Sequence, residues 1–227
     1  MKQLGFQNRN FKRRLAYILM PIFFAVIGLG TMAAVVWPLY SNFSNVVGMI
    51  TADDAPSFNN DLTSIYNGDG VFAKTVDNKD IEFPDYNCQY GKLICDRLGI
   101  DAPLYYGDSD VSLRYGVGQY AGSYLPGYGG VIVVAGHNTT FFYNFRDVKV
   151  GDEFTIKTNY GIFKYRCYKI KPHEFDDLSA VNYLQKKEEL VMYTCYPFKK
   201  MAGIKTQRLF VYCQKVSGPT VVGVYDE

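Results

Sequence analysis

Few residues in this chain could carry out covalent chemistry. There are two histidines, His137 and His173, and five cysteines, Cys88, Cys95, Cys167, Cys195 and Cys213. A cysteine nucleophile reacts as the thiolate, so it needs a base or an electropositive neighbour, and histidine is the usual partner. Cys195 ends the apolar, β-branched and aromatic run "ELVMYTC", and Pro197 follows close behind. His137 directly follows "VIVVAG", whose last two residues are small and leave room beside the ring. His173, in "KIKPHEFDD", reads as a solvated loop residue in a polar turn. Cys88, Cys95, Cys167 and Cys213 read as buried thiols. The odd number of cysteines leaves at least one thiol free whatever pairing occurs.

Two-residue strand periodicity then sorts the side chains. In 191–195, Val191, Tyr193 and Cys195 share one face, while Met192 and Thr194 share the other. In 207–213, Leu209, Val211 and Cys213 form an apolar face, and Arg208, Phe210 and Tyr212 lie opposite. Arg208 thus points away from the Cys213 face, on the strand expected to neighbour that of Cys195. It could be a solvated edge charge, or it could hold fixed donors over a groove, suited to a carbonyl or a developing oxyanion. Cys, His and Arg at strand or strand-end positions form a constellation for acyl transfer through a thioester.

The elements that must position them follow from the same patterns. "GGVIVVAGHN" (129–138) reads as a buried strand delivering His137 at its end. "DEFTIKTNYGIFKYRCYKI" (152–170) reads as a hairpin turning near Asn159-Tyr160-Gly161. "KLICDRLGI" and "APLYYG" are short strand-like runs, and "DDLSAVNYLQKKEEL" (176–190) is the best helix candidate. Many short strands with one or two small helices predict a closed antiparallel barrel or a sandwich.

The N-terminal 40 residues are different material. Lys2, Arg9, Lys12, Arg13 and Arg14 precede any acidic residue, and "LAYILMPIFFAVIGLGTMAAVVWPLY" (15–40) carries no charge. Roughly 20 apolar residues span a bilayer. The basic flank predicts a cytoplasmic tail, 1–14, with 41–227 outside, and Trp37 and Tyr40 fit interfacial aromatics. The competing reading, a cleaved signal peptide with small residues in "TMAA", meets a run longer than the usual core of about 7–15 residues. Residues 41–85 read as a polar linker, 86–218 as the catalytic domain and 219–227 as a tail. Among 227 residues, 48% are hydrophobic and the net charge is +2, which suits one domain with a core and argues against nucleic-acid binding. The spacing of Cys and His suggests no metal site.

"VVAGHN", "VMYTCYPF" and "QRLFVYC" together resemble the three signature blocks of the sortases, membrane-anchored cysteine transpeptidases of Gram-positive bacteria. Their T-L-x-T-C block stands here as Val191-Met192-Tyr193-Thr194-Cys195, keeping the Thr-Cys pair and the order His, Cys, Arg. "YGKLICDRLGIDAPLYYG", "LPGYGGVIVVAGH" and "FRDVKVGDEF" are similar too, so the resemblance covers roughly 86–216. "TCYPF" and the His137–Cys195 gap are most similar to class D.

The resemblance implies an eight-stranded β-barrel with short helices behind one transmembrane helix. It also implies no cofactor and an L-P-x-T-G-type sorting signal on surface proteins as substrate. Cys195 would be the nucleophile, His137 the general acid and base, and Arg208 the oxyanion and substrate stabiliser, with Thr194 a substrate contact. An amine of a peptidoglycan precursor would resolve the acyl-enzyme. Residues 41–85 lack the Asp-Pro-aromatic lid motif of pilin-type members, and 115–136 lack the acidic residues of calcium-binding ones, so neither feature is expected.

Two alternatives have weaker support. Papain-like cell-wall peptidases place Cys before His, and L,D-transpeptidases place Arg almost directly after Cys; neither order occurs here. A non-catalytic anchored β-barrel binding module would leave the three residues scattered and individually replaceable.

Overall fold

The structure, a computed structural model, describes residues 17, 19–36, 74–198 and 205–223. The chain divides into two units, 1–52 and 53–227. The first contributes helix α1 (Leu19–Val36), 18 residues long, with its large apolar side chains exposed. At 1.5 Å per residue it is about 27 Å long, close to the roughly 30 Å of a bilayer core.

In the second unit, eight strands close a barrel in the order β2-β3-β4-β5-β8-β9-β7-β6. They are β2 (Gln89–Cys95), β3 (Ile100–Tyr106), β4 (Val117–Gln119), β5 (Val131–Ala135), β6 (Glu153–Thr158), β7 (Ile162–Glu174), β8 (Glu189–Tyr196) and β9 (Gln207–Ser217). Closure leaves the barrel no free edge. The alternation read from the sequence is present. Leu190 and Met192 of β8 and Leu209, Val211 and Cys213 of β9 join the main core with Phe142, Phe154 and Phe163. Val191 and Tyr193 face outward, where with Phe210, Tyr212, Val131 and Val133 they form a second cluster. The connection between β7 and β8 covers that cluster with Ala180 and Val181. β5 is buried throughout, because it has core on one side and this cover on the other.

Two pairings set up the cavity described below. β5 runs parallel to β8, with Ala135 opposite Tyr193, so both strands end at the same rim. β8 runs antiparallel to β9, with Cys195 opposite Arg208, so β9 begins at that rim.

Four expectations are corrected. The helix expected over 176–190 is absent. A single 3-10 turn (Leu178–Ala180) is capped by Asp177, and Val181 is already extended. Asn182 then accepts from the Leu184 amide and turns the chain, and Glu189 starts β8. Leu178 and Leu184 are 93% and 91% exposed, so the apolar residues form no stripe that a helix could bury. Second, the linker and tail boundaries at 85 and 219 cut through structure. β1 (Thr75–Asp77) pairs in parallel with β10 (Thr220–Val222), and Val221 enters the core. Residues 41–73 of the expected linker and 224–227 of the tail lie outside the described residues. Third, Cys88 is half-buried rather than buried, and all five thiols are free. Fourth, His173 is a buried strand residue, as detailed below. A short helix that the sequence reading missed, α2 (Asp110–Tyr115), is capped by the Ser109 hydroxyl accepting from the Ser112 amide.

Candidate active site

The shared rim of β5, β8 and β9 opens into a cavity of about 530 Å³. His137, Thr194, Cys195 and Arg208 all line it, with Tyr193 and Phe210 between them and residues of the 175–183 connection along one wall. All four site residues named from sequence therefore meet at one place.

Backbone and side-chain ties hold this rim. The Gly136 amide donates to the Tyr193 carbonyl at 3.2 Å, extending the β5–β8 ladder by one step. The Thr194 hydroxyl donates to the Gly136 carbonyl at 2.6 Å, so it is already engaged and Thr194 is buried. The Asn138 amide nitrogen donates to the Cys195 carbonyl at 2.7 Å, and its oxygen accepts from Lys205 Nζ at 3.2 Å. His137 is thus flanked by two residues that are each tied to the Thr194-Cys195 segment. The sequence patterns gave Asn138 no role of its own. Its adjacency to His137 was the available signal.

Gly136 has a different use from the one expected. The room left by its missing side chain is filled by the fully buried Phe142 ring, which a Cβ would meet at 2.6 Å. The Phe142 amide also donates to the His137 carbonyl at 3.0 Å, folding the loop back and fixing the backbone on both sides of the imidazole.

Electrostatics differ among the lining groups. Burial lowers the pKa of His137, and the nearby Asp110 only partly offsets this, so the neutral imidazole is favoured. Burial and the Asp108 carboxylate push the Tyr193 phenol up to about 12, so it stays protonated. Cys195 is half-buried. Arg208 Nη1 donates to the carbonyls of Lys205 and Gln207 at 2.9 and 3.0 Å. Its other guanidinium nitrogens make no hydrogen bond among the described residues, which leaves donors free on the cavity-lining side chain.

His173 is not in a polar turn. It sits on β7 directly opposite Arg208 and is 8% exposed, with Nδ1 2.7 Å from Asp177 Oδ2 and Nε2 3.0 Å from the Tyr212 hydroxyl. Asp177, held down to about 2 by Ser179 and His173, is a carboxylate at neutral pH.

A half-buried thiol, a neutral imidazole and an arginine with spare donors around one groove suit nucleophilic attack on a carbonyl. Known proteins agree. Residues 93–216 match the family model described as Sortase domain. Sortase D of Bacillus subtilis (strain 168) is 33% identical over 134 residues, covering 59% of this chain and 67% of that protein. Among solved structures, Sortase C1 of Streptococcus agalactiae superimposes with a TM-score of 0.52 at 30% identity, covering 57% of this chain and 68% of that one. A Clostridium perfringens Sortase D5 transpeptidase gives a TM-score of 0.55, covering 61% and 86%; at 22% identity it speaks for the fold alone. The fold and comparisons define a cysteine transpeptidase. The chain belongs to the sortase family and is class D-like.

Proposed function

We propose that this transpeptidase cleaves an LPxTG-like sorting signal through a thioester on Cys195 and transfers the acyl group to an amine of a peptidoglycan precursor. The Cys195 thiol passes its proton to His137, and Sγ attacks the carbonyl carbon of the scissile Thr–Gly bond. The tetrahedral oxyanion is held by Arg208. The C–N bond then breaks, and His137 gives the leaving amine its proton. The incoming amine attacks the thioester, His137 takes its proton, and the thiol is restored. Thr194, with its hydroxyl held by Gly136, lines the same cavity and is assigned as a substrate contact.

The observation that carries this reading is that Cys195 and Arg208 are direct cross-strand partners at the rim where β5 delivers His137, around one cavity. The apolar, exposed α1 supports residues 15–40 as a membrane anchor, with 1–14 cytoplasmic and the barrel outside. Sorting-signal-bearing surface proteins are then the acyl donors.

The test is cleavage of a fluorogenic sorting-signal peptide by the full chain in detergent. Cys195→Ala is expected to abolish cleavage, a loss of at least about 10³-fold, while leaving the fold intact. Retained activity in that variant, or equal loss in Cys213→Ala, would refute the assignment.

A further inference from the structure

We propose that His173 is a positioning residue for the transpeptidase reaction: bonded to Asp177 and Tyr212, it fixes the 177–181 wall of the Cys195 cavity. The inference rests on the proposed use of that cavity for substrate. His173 Nδ1 lies 2.7 Å from Asp177 Oδ2, and Nε2 lies 3.0 Å from the Tyr212 hydroxyl. The same hydroxyl reaches the Ala180 carbonyl at 2.8 Å. Asp177 Oδ1 in turn accepts from the Ser179 amide at 2.9 Å and the Ser179 hydroxyl at 2.6 Å. One ring on β7 is therefore joined to the start of the wall through Asp177 and to its far end through Tyr212 of β9. Phe210 packs edge-on against the ring at 5.3 Å.

The wall needs such a device. It is a single 3-10 turn followed by an extended residue, and it belongs to no sheet. Leu178 is 93% exposed, and of residues 177–181 only Ala180 is buried, so packing alone locates it weakly. Placing an imidazole in a site this buried costs desolvation that an apolar ring of similar size would avoid. What the imidazole adds is direction, because each nitrogen holds a different end of the wall. With Nδ1–H donating to the Asp177 carboxylate, Nε2 can accept from Tyr212. The Tyr212 hydroxyl lies between Nε2 and the Ala180 carbonyl, so it links the ring to that end of the wall. Phe175, Asp177, Leu178, Ala180 and Val181 line the same cavity as Cys195 and Arg208. Loosening the wall should therefore weaken substrate binding and leave the bond-making atoms alone.

Hydrolysis of the fluorogenic peptide without amine, by the full chain in detergent, separates KM from kcat. Tyr212→Phe and His173→Phe are each expected to raise KM roughly tenfold, with kcat within about twofold, the effect of losing one hydrogen-bonded tether from a binding wall. The double variant should be no worse than the worse single one, because both cut the same chain of bonds. An unchanged KM in Tyr212→Phe, a fall in kcat with KM unmoved, or strictly additive effects would overturn the proposal. If His173→Phe fails to fold, Tyr212→Phe, which removes one oxygen, decides alone. If even the wild type leaves the peptide intact, the proposed substrate class is what fails. Amide hydrogen exchange over 178–181 then decides: faster exchange in Tyr212→Phe supports the wall tether, and unchanged exchange refutes it.

Discussion

The two ends of β8 are built for opposite purposes. At its start, the carboxylates are hydrogen-bonded on every side-chain oxygen. Glu188 accepts from the Gly127 amide at 3.1 Å, the Tyr165 hydroxyl at 2.7 Å and Lys215 Nζ at 2.9 Å, and Lys215 also donates to the Pro219 carbonyl at 2.8 Å. Glu189 receives the Tyr168 hydroxyl and the Gln185 amide. Near its other end, Cys195 opens on a cavity lined also by a neutral imidazole and an arginine with spare donors. Satisfied polar groups contribute to holding a barrel together, whereas reactive ones must be left partly unsatisfied. One strand carries both kinds of end, and its parallel and antiparallel neighbours keep them apart.

That contrast can be broken from either end. Arg208→Ala should cut kcat roughly 10²–10³-fold with little change in melting temperature, as steady-state kinetics and thermal melts would show. Glu188→Ala should do the reverse. It leaves Lys215 without its counter-charge and the Gly127 amide and Tyr165 hydroxyl without their acceptor, and should cost about 3–5 kcal/mol of stability in denaturant titrations, while the folded fraction keeps its specific activity. Stability loss on Arg208→Ala, or activity loss without unfolding on Glu188→Ala, would erase the distinction.

A smaller effect sharpens it. His137 has a pKa lowered by burial. As pH falls below the unfolded histidine value of about 6.5, the unfolded chain takes up a proton that the folded one resists. That stability is present above the unfolded value and is lost as pH falls toward the lower folded value. His137→Gln should therefore make the melting temperature less acid-sensitive below about pH 6.5, with the same pH dependence as wild type above it.

Strand faces were readable because alternation is a local signal. The 191–195 and 207–213 patterns separated Cys195 and Arg208 from Cys213 correctly. The turn at Asn159-Tyr160-Gly161 was equally local, and the Thr158–Gly161 hydrogen bonds close it. What failed depended on distant partners. β7 continues through Pro172 to Glu174 because that stretch pairs only with β9, and a proline's missing N–H is tolerated on a one-sided strand. With Lys169, Lys171 and His173 in that stretch, it read as polar turn. Asp177 and Asn182 bond their own neighbours and turn the chain, so a segment of helix-compatible composition became a wall of the cavity. The meeting of His137, Cys195 and Arg208 came from family order, not periodicity; the parallel β5–β8 pairing behind it has no local signature.

The central claim is that Cys195 carries the acyl group. The most direct measurement is intact and peptide mass analysis of the full chain, acid-quenched after incubation with a sorting-signal peptide and no amine. A single adduct of the acyl fragment's mass is expected on the peptide containing Cys195, released by hydroxylamine. An adduct on Cys88 or any other residue, or peptide turnover with no adduct on Cys195, would contradict it.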